Sequence, residues 1–156
     1  MSNPNDEGMT TVKKFELVDD SFIEELGVKL FRIRALVSFA RVCAGDIGGY
    51  VEKEKNLSQA GDAWVFGNAQ VSGKAWVFGN AQVSGNAWVS DNAQVSGDAW
   101  VSGKAWVSDD AWVSGNARVF GNAQVFDDAQ VFDDARVSGD AWVSGKAQVT
   151  GRERVK

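Results

Sequence analysis

Valine recurs at every sixth position from Val65 to Val155, and alanine stands two places before it from Ala63 to Ala147. The residue between them is always polar or aromatic, as in Ala63-Trp64-Val65, Ala69-Gln70-Val71 and Ala117-Arg118-Val119. Apolar, variable, apolar is a period of two, so each trio predicts a short strand with alanine and valine on one face and the intervening side chain on the other. Each six-residue unit opens on Gly or Asp followed by Asn, Asp, Lys or Arg, residues that tolerate positive φ or bond their own backbone, so every strand is expected to end in a corner. Sixteen such units fill residues 61–156 without interruption, and only the last breaks the alanine position, with Glu153.

A strand of three or four residues with a corner every six is too short for ordinary hairpins, but it can wind into a coil whose strands stack on those of the next coil. This pattern, an aliphatic residue such as Val65 followed four places later by a small one such as Ala69, resembles the hexapeptide-repeat proteins. The resemblance implies an all-β fold, a left-handed parallel β-helix with three units per triangular coil. Sixteen units then make about five coils, a column about 26 Å tall at a strand spacing of about 4.8 Å. Handedness comes from the resemblance alone, since ordinary crossover connections favour the right-handed form.

Before the repeat, the chain is expected to divide into a disordered tail over 1–12 and an N-terminal β cap with a lead-in segment over 13–60, ahead of the β-helix of 61–156. Lys14 to Val18 and Lys29 to Leu36 read as strands, Phe31, Ile33 and Ala35 alternating with Leu30, Arg32 and Arg34, and Gly27 supplies a turn. A cap over the first coil shields strand edges and valines that water would otherwise meet. The segments FRIRAL (31–36) and AGDIGGYVEKEKNLSQAGDAWV (44–65) are similar to the opening of uncharacterised bacterial and prophage-encoded hexapeptide-repeat proteins. At the other end Arg152, Glu153, Arg154 and Lys156 place charge where an open edge would otherwise recruit another strand.

If three units make a coil, outward residues eighteen apart form ladders. One face then carries Trp64, Gln82, Trp100, Arg118, Arg136 and Arg154; the second Gln70, Trp88, Trp106, Gln124 and Trp142; the third Trp76, Gln94, Trp112, Gln130 and Gln148. All seven tryptophans are expected to point away from the core. Each can bury about 150 to 250 Å², so together they exceed the apolar patch a soluble monomer usually leaves open. Self-association is the expected consequence, with Trp88, Trp106 and Trp142 the most aromatic ladder. The resemblance favours a homotrimer, and another protein or a glycan is the alternative partner; stacking of the tryptophans along each ladder with Phe and Gln neighbours, shielding the corners, explains the same pattern without a partner.

A corner between the second and third faces would stack Asp91, Asp109 and Asp127, with Asn92, Asp110 and Asp128 beside them. Carboxylates one strand apart repel by about 1 to 3.5 kcal/mol for effective dielectrics of 80 to 20, which a calcium ion would relieve. Solvated turn residues explain the same pattern, so no cofactor is expected and calcium is only an alternative.

Charge and composition narrow the function further. The formal charge is −5 and no long basic run occurs, which argues against nucleic acid or an anionic membrane as partner. No apolar stretch approaches membrane-spanning length, and the single cysteine, Cys43, precludes an internal disulfide, so a reducing cytoplasmic setting is expected. The resemblance brings acyl transfer to mind, because many hexapeptide-repeat proteins are CoA-dependent acyltransferases with a histidine base and an excursion loop. Here there is no histidine and no insertion between Gly61 and Lys156. Zinc-activated water is equally short of ligands, and the serines occupy one repeated position rather than a singular constellation. Thr150 is the only threonine in the repeat, which disfavours an ice-binding face. The expectation is a non-catalytic scaffold or interaction module, with a degenerate acyltransferase as the alternative.

Overall fold

The computed structural model describes residues 13–156; the expected tail over 1–12 lies outside the described residues. An antiparallel hairpin of β1 (Phe15–Glu25) and β2 (Val28–Ala35) comes first, and β3 (Ile47–Val51) pairs with β2. Sixteen two-residue strands follow, one per repeat unit, from β4 (Trp64–Val65) to β19 (Arg154–Val155). They stack in parallel with partners eighteen residues away, as in Trp64↔Gln82, Trp100↔Arg118 and Trp106↔Gln124, forming three sheets that enclose one column. The fold is therefore an all-β parallel solenoid.

The column has about six turns rather than five, because it begins before the regular repeat. Tyr50 and Val51 pair with Gln70 and Val71 on one side, and Leu57 bridges Val77 on another. Val51 and Leu57 already keep the six-residue beat, but eight residues separate Leu57 from Val65, and the two extra residues hide the first turn from a search for a fixed period.

Ala and Val of successive units fill the column and are almost wholly excluded from solvent from Ala63 to Val137. Burial slackens only in the last turn, where Ala147 and Glu153 lie exposed. At the corners the first residue of each unit takes positive φ, near +60° for Gly67, Gly73 and Gly115 as for Asp91, Asp109, Asp127 and Asp133. At several of these positions a Cβ would come within about 3 Å of the next turn's backbone, 2.8 Å at Gly115, which explains the preference for glycine.

Backbone N–H groups donate to carbonyls of the following turn, as in Gln82 N to Ala99 O at 3.0 Å and Trp100 N to Ala117 O at 3.0 Å. At the top of the column several carbonyls are met not by a backbone N–H of a preceding turn but by single side chains. The Lys14 ammonium reaches Ala63 O (2.7 Å) and Gly61 O (3.3 Å), Asn56 Nδ2 reaches Ala75 O (2.9 Å) and Gly73 O (3.2 Å), and an Arg32 Nη1 reaches Gly67 O (2.7 Å) and Gly48 O (3.1 Å). Gly48 and Gly49 let β3 lie against the column, since a Cβ there would stand 2.5 Å from Val65 O and 2.6 Å from Ala69 O.

The hairpin departs from the expected alternation. β1 continues to Glu25 rather than ending at Val18, with a register shift between Leu17 and Phe22, and β2 is irregular between Arg32 and Arg34. Leu30 and Ile33 are therefore buried while Phe31 is only partly so.

Candidate interaction surface

Face one begins under the cap. Trp64 was expected to be available for contact between chains, but it is only 2% exposed: Phe15 and Phe39 pack edge-on against its ring at 6.2 and 5.3 Å between centroids. Its outward position is kept, and the cap simply occupies the space outside it. Lower on the same face Trp100 meets the guanidinium of Arg118 at 5.1 Å, a cation–π contact. Arg118, Arg136 and Arg154 then stack in register, with Asn116, Asp134 and Arg152 of the adjoining corner beside them. Among the described residues the ion pairs are Lys13–Glu54 and Arg34–Glu16, both in or near the cap, so this arginine ladder has no carboxylate at salt-bridge distance.

Face two carries Tyr50, Gln70, Trp88, Trp106, Gln124 and Trp142. Trp88 and Trp106 stack with parallel rings 5.0 Å apart, so each already shields one face of the other. Trp142 meets Phe126 edge-on at 6.0 Å yet remains 68% exposed. The hairpin tip overhangs the upper part of this face: Leu26, Val28 and Leu30 join Trp88 and Trp106 along one shallow groove.

Face three holds Trp76, Gln94, Trp112, Gln130 and Gln148. Trp76 stacks on Phe78 at 3.9 Å, and Trp112 stands half exposed. Its sheet contains only strands of the column, without a strand of the hairpin.

Both corners that border face three carry aspartates. One holds Asp98, Asn116, Asp133, Asp134 and Arg152 beside the arginine ladder; the other stacks Asp91, Asp109 and Asp127 next to Asn92, Asp110 and Asp128. In this acidic corner the carboxylates bond the following turn's backbone: Asp91 Oδ2 accepts from Asp109 N (3.3 Å), Asp109 from Asp127 N (3.1 Å) and Asp127 from Gly145 N (3.0 Å). Asn92 Nδ2 donates to Asp110 Oδ1 at 3.1 Å. The aspartates thus complete the corner's own hydrogen bonding. Among the described residues no group of three or more Asp, Glu, Cys or His is arranged to hold a metal ion.

Cys43 is exposed in the cap without a histidine anywhere in the chain, and the repeat serines lie along the corners. The pKa of Lys14 is lowered from 10.5 to about 8 because burial disfavours its charge, against the opposing pull of Asp62. Lys14 bonds two carbonyls and lies over the Phe39 ring at 4.9 Å, so its chemistry is spent on sealing the column. Sequence pattern gave no hint of Lys14, Asn56 or Arg32, because each acts once and none belongs to a repeat. No helix among the described residues is long and apolar enough to cross a membrane.

No curated protein matches this chain significantly. Residues 93–109, 111–127 and 129–145, three successive turns of the column, each match the YdcK beta solenoid repeat, and with the stacked parallel turns this makes the chain a repeat β-solenoid protein.

Proposed function

We propose that this protein is a non-catalytic scaffold or interaction module that self-associates through its tryptophan-bearing faces, as a homotrimer. The carrying observation is the exposure of five tryptophans on a protein whose core is otherwise closed: Trp76 42%, Trp100 37%, Trp106 45%, Trp112 50% and Trp142 68%. Ladders of this kind leave a larger apolar surface than a soluble monomer usually presents. The absence of histidine and the unbroken six-residue beat support a non-enzymatic role. The resemblance to hexapeptide-repeat proteins further supports a left-handed coil and a bacterial or prophage setting, and the net charge of −5, the single cysteine and the lack of a long apolar run support a cytoplasmic location, without nucleic acid, membrane or cofactor as partner.

The experiment is a triple replacement of exposed tryptophans, W106S/W112S/W142S, followed by light scattering. Loss of assembly with retained β-sheet circular dichroism supports the reading, and unchanged assembly overturns it. Titration with acetyl-CoA tests the enzymatic alternative: saturable binding would contradict a purely structural role.

A further inference from the structure

Face three begins differently from the other two. Leu57 bridges Val77 and so holds the valine place of the first turn, which puts Asn56 in the ladder position directly above Trp76. In the turns below, that position carries an outward glutamine, tryptophan or arginine. Asn56 is instead fully buried, its Nδ2 turned to the carbonyls of Ala75 and Gly73. No ladder neighbour therefore covers Trp76 from above, and an open hollow of about 760 Å³ remains there, floored by Leu57 and Trp76 and edged by Ser58, Lys55 and Lys74. Phe78 stacks on the Trp76 ring at 3.9 Å, so one side of the indole is occupied and the other is left to the hollow.

A second hollow of about 270 Å³ adjoins the first, sharing Lys55 and Lys74 and adding Lys53. These three lysines are exposed and, among the described residues, none has a carboxylate at salt-bridge distance. The carboxylates nearby are engaged elsewhere. Glu54 takes Lys13 at 3.3 Å and Gln59 Nε2 at 3.2 Å, Glu52 accepts from Gly73 N at 2.7 Å, and Asp91, a turn lower, accepts from Asp109 N at 3.3 Å. Lys13, Lys53, Lys55 and Lys74 outnumber these three acids, so the rim is positive on a chain whose net charge is −5.

We infer that the paired hollows bind an acidic saccharide, one pyranose ring lying on the free side of Trp76 and its anionic group held by Lys55 and Lys74, with Lys53 beyond. The apolar face of a pyranose packs well on a single indole face, and a shallow hollow lets neighbouring sugars run past its ends. A planar aromatic ligand would gain more from a slot closed on both sides. The lysine ammonium groups supply charge-assisted hydrogen bonds to a carboxylate, sulfate or phosphate alike. The site lies within one chain and does not depend on the assembly proposed above.

The test is calorimetric titration of the full chain with trigalacturonate, a sulfated galactan trisaccharide and a hexose phosphate, each beside its uncharged counterpart. At least one acid should bind with a Kd below about 1 mM, and its uncharged counterpart about tenfold more weakly; the acid that binds identifies the source of the charge. W76A should weaken that binding about tenfold while W76F retains most of it, and K55Q/K74Q should weaken it about tenfold and remove most of its salt dependence. All three variants should keep the β-sheet spectrum and the light-scattering mass of the unaltered chain. The inference is overturned if none of the acids binds, if the uncharged sugars bind equally well, or if W76A or K55Q/K74Q binds as tightly as the unaltered chain. It is also overturned if W76A lowers the mass, which would place Trp76 under another copy of the chain.

Discussion

The cap and the column solve the same problem, pairing every buried backbone group, by opposite means. In the column each turn is satisfied by the next, and the same two core residues, alanine and valine, recur with nearly the same surroundings. Where the cap meets the column, the carbonyls of Ala63, Ala75 and Gly67 are met by one lysine, one asparagine and one arginine, each with no equivalent elsewhere. Periodic structure spreads the cost of any one loss over many similar positions, whereas the cap concentrates it.

The largest effect is therefore expected at Asn56, which is fully buried and also accepts a hydrogen bond from Lys53 N at 2.9 Å through its Oδ1. Asn56→Leu leaves the carbonyls of Gly73 and Ala75 without this donor and should cost about 3 kcal/mol in denaturant unfolding. In the column, Val101→Ala removes two buried methyl groups and should cost about 2 kcal/mol. The comparison is sharpened by Val83→Ala and Val119→Ala, which should match Val101→Ala closely because the surroundings repeat. A spread as wide as the mean effect would show that the turns are not equivalent.

Lys14 contributes through pH. Its folded pKa of about 8 lies below the ordinary lysine value of 10.5, so between these values the unfolded chain binds more protons than the folded one. Stability should accordingly rise as pH increases from about 8 toward 10.5, and Lys14→Met should remove that part of the rise. A pH profile of thermal unfolding for both chains checks it. The smallest effect is expected at the acidic corner: Asp109→Gly keeps the backbone at φ +57° but loses the bond from Asp127 N, so its cost should stay within about 0.5 kcal/mol. Asp109→Ala keeps neither advantage and should cost about 1 kcal/mol more.

Much of the fold was legible because the sequence repeats it. The alternation of Ala63, Trp64 and Val65, copied fifteen times with small changes, specifies strand, corner and the inward face together. What the pattern missed was aperiodic. The first turn, Gly49 to Leu57, escaped because of two extra residues before Val65, and the burial of Trp64 followed from Phe15 and Phe39, far away in sequence. The candidate surface was legible as ladders, since a spacing of eighteen residues places Trp88 over Trp106. Stacking along a ladder is the alternative to self-association that this spacing offers, and Trp88 and Trp106 take it; that the aspartates of the acidic corner spend an oxygen on the next turn's N–H is a side-chain detail beneath the resolution of a hydrophobic pattern.

The central claim, that the outward tryptophans are covered by further copies of the chain, is tested most directly by the mass of the unaltered protein from light scattering after size exclusion at low salt. A value of about 50 kDa, three times 16.8 kDa, is the predicted result. A single species at 16.8 kDa across the accessible concentration range would contradict the account.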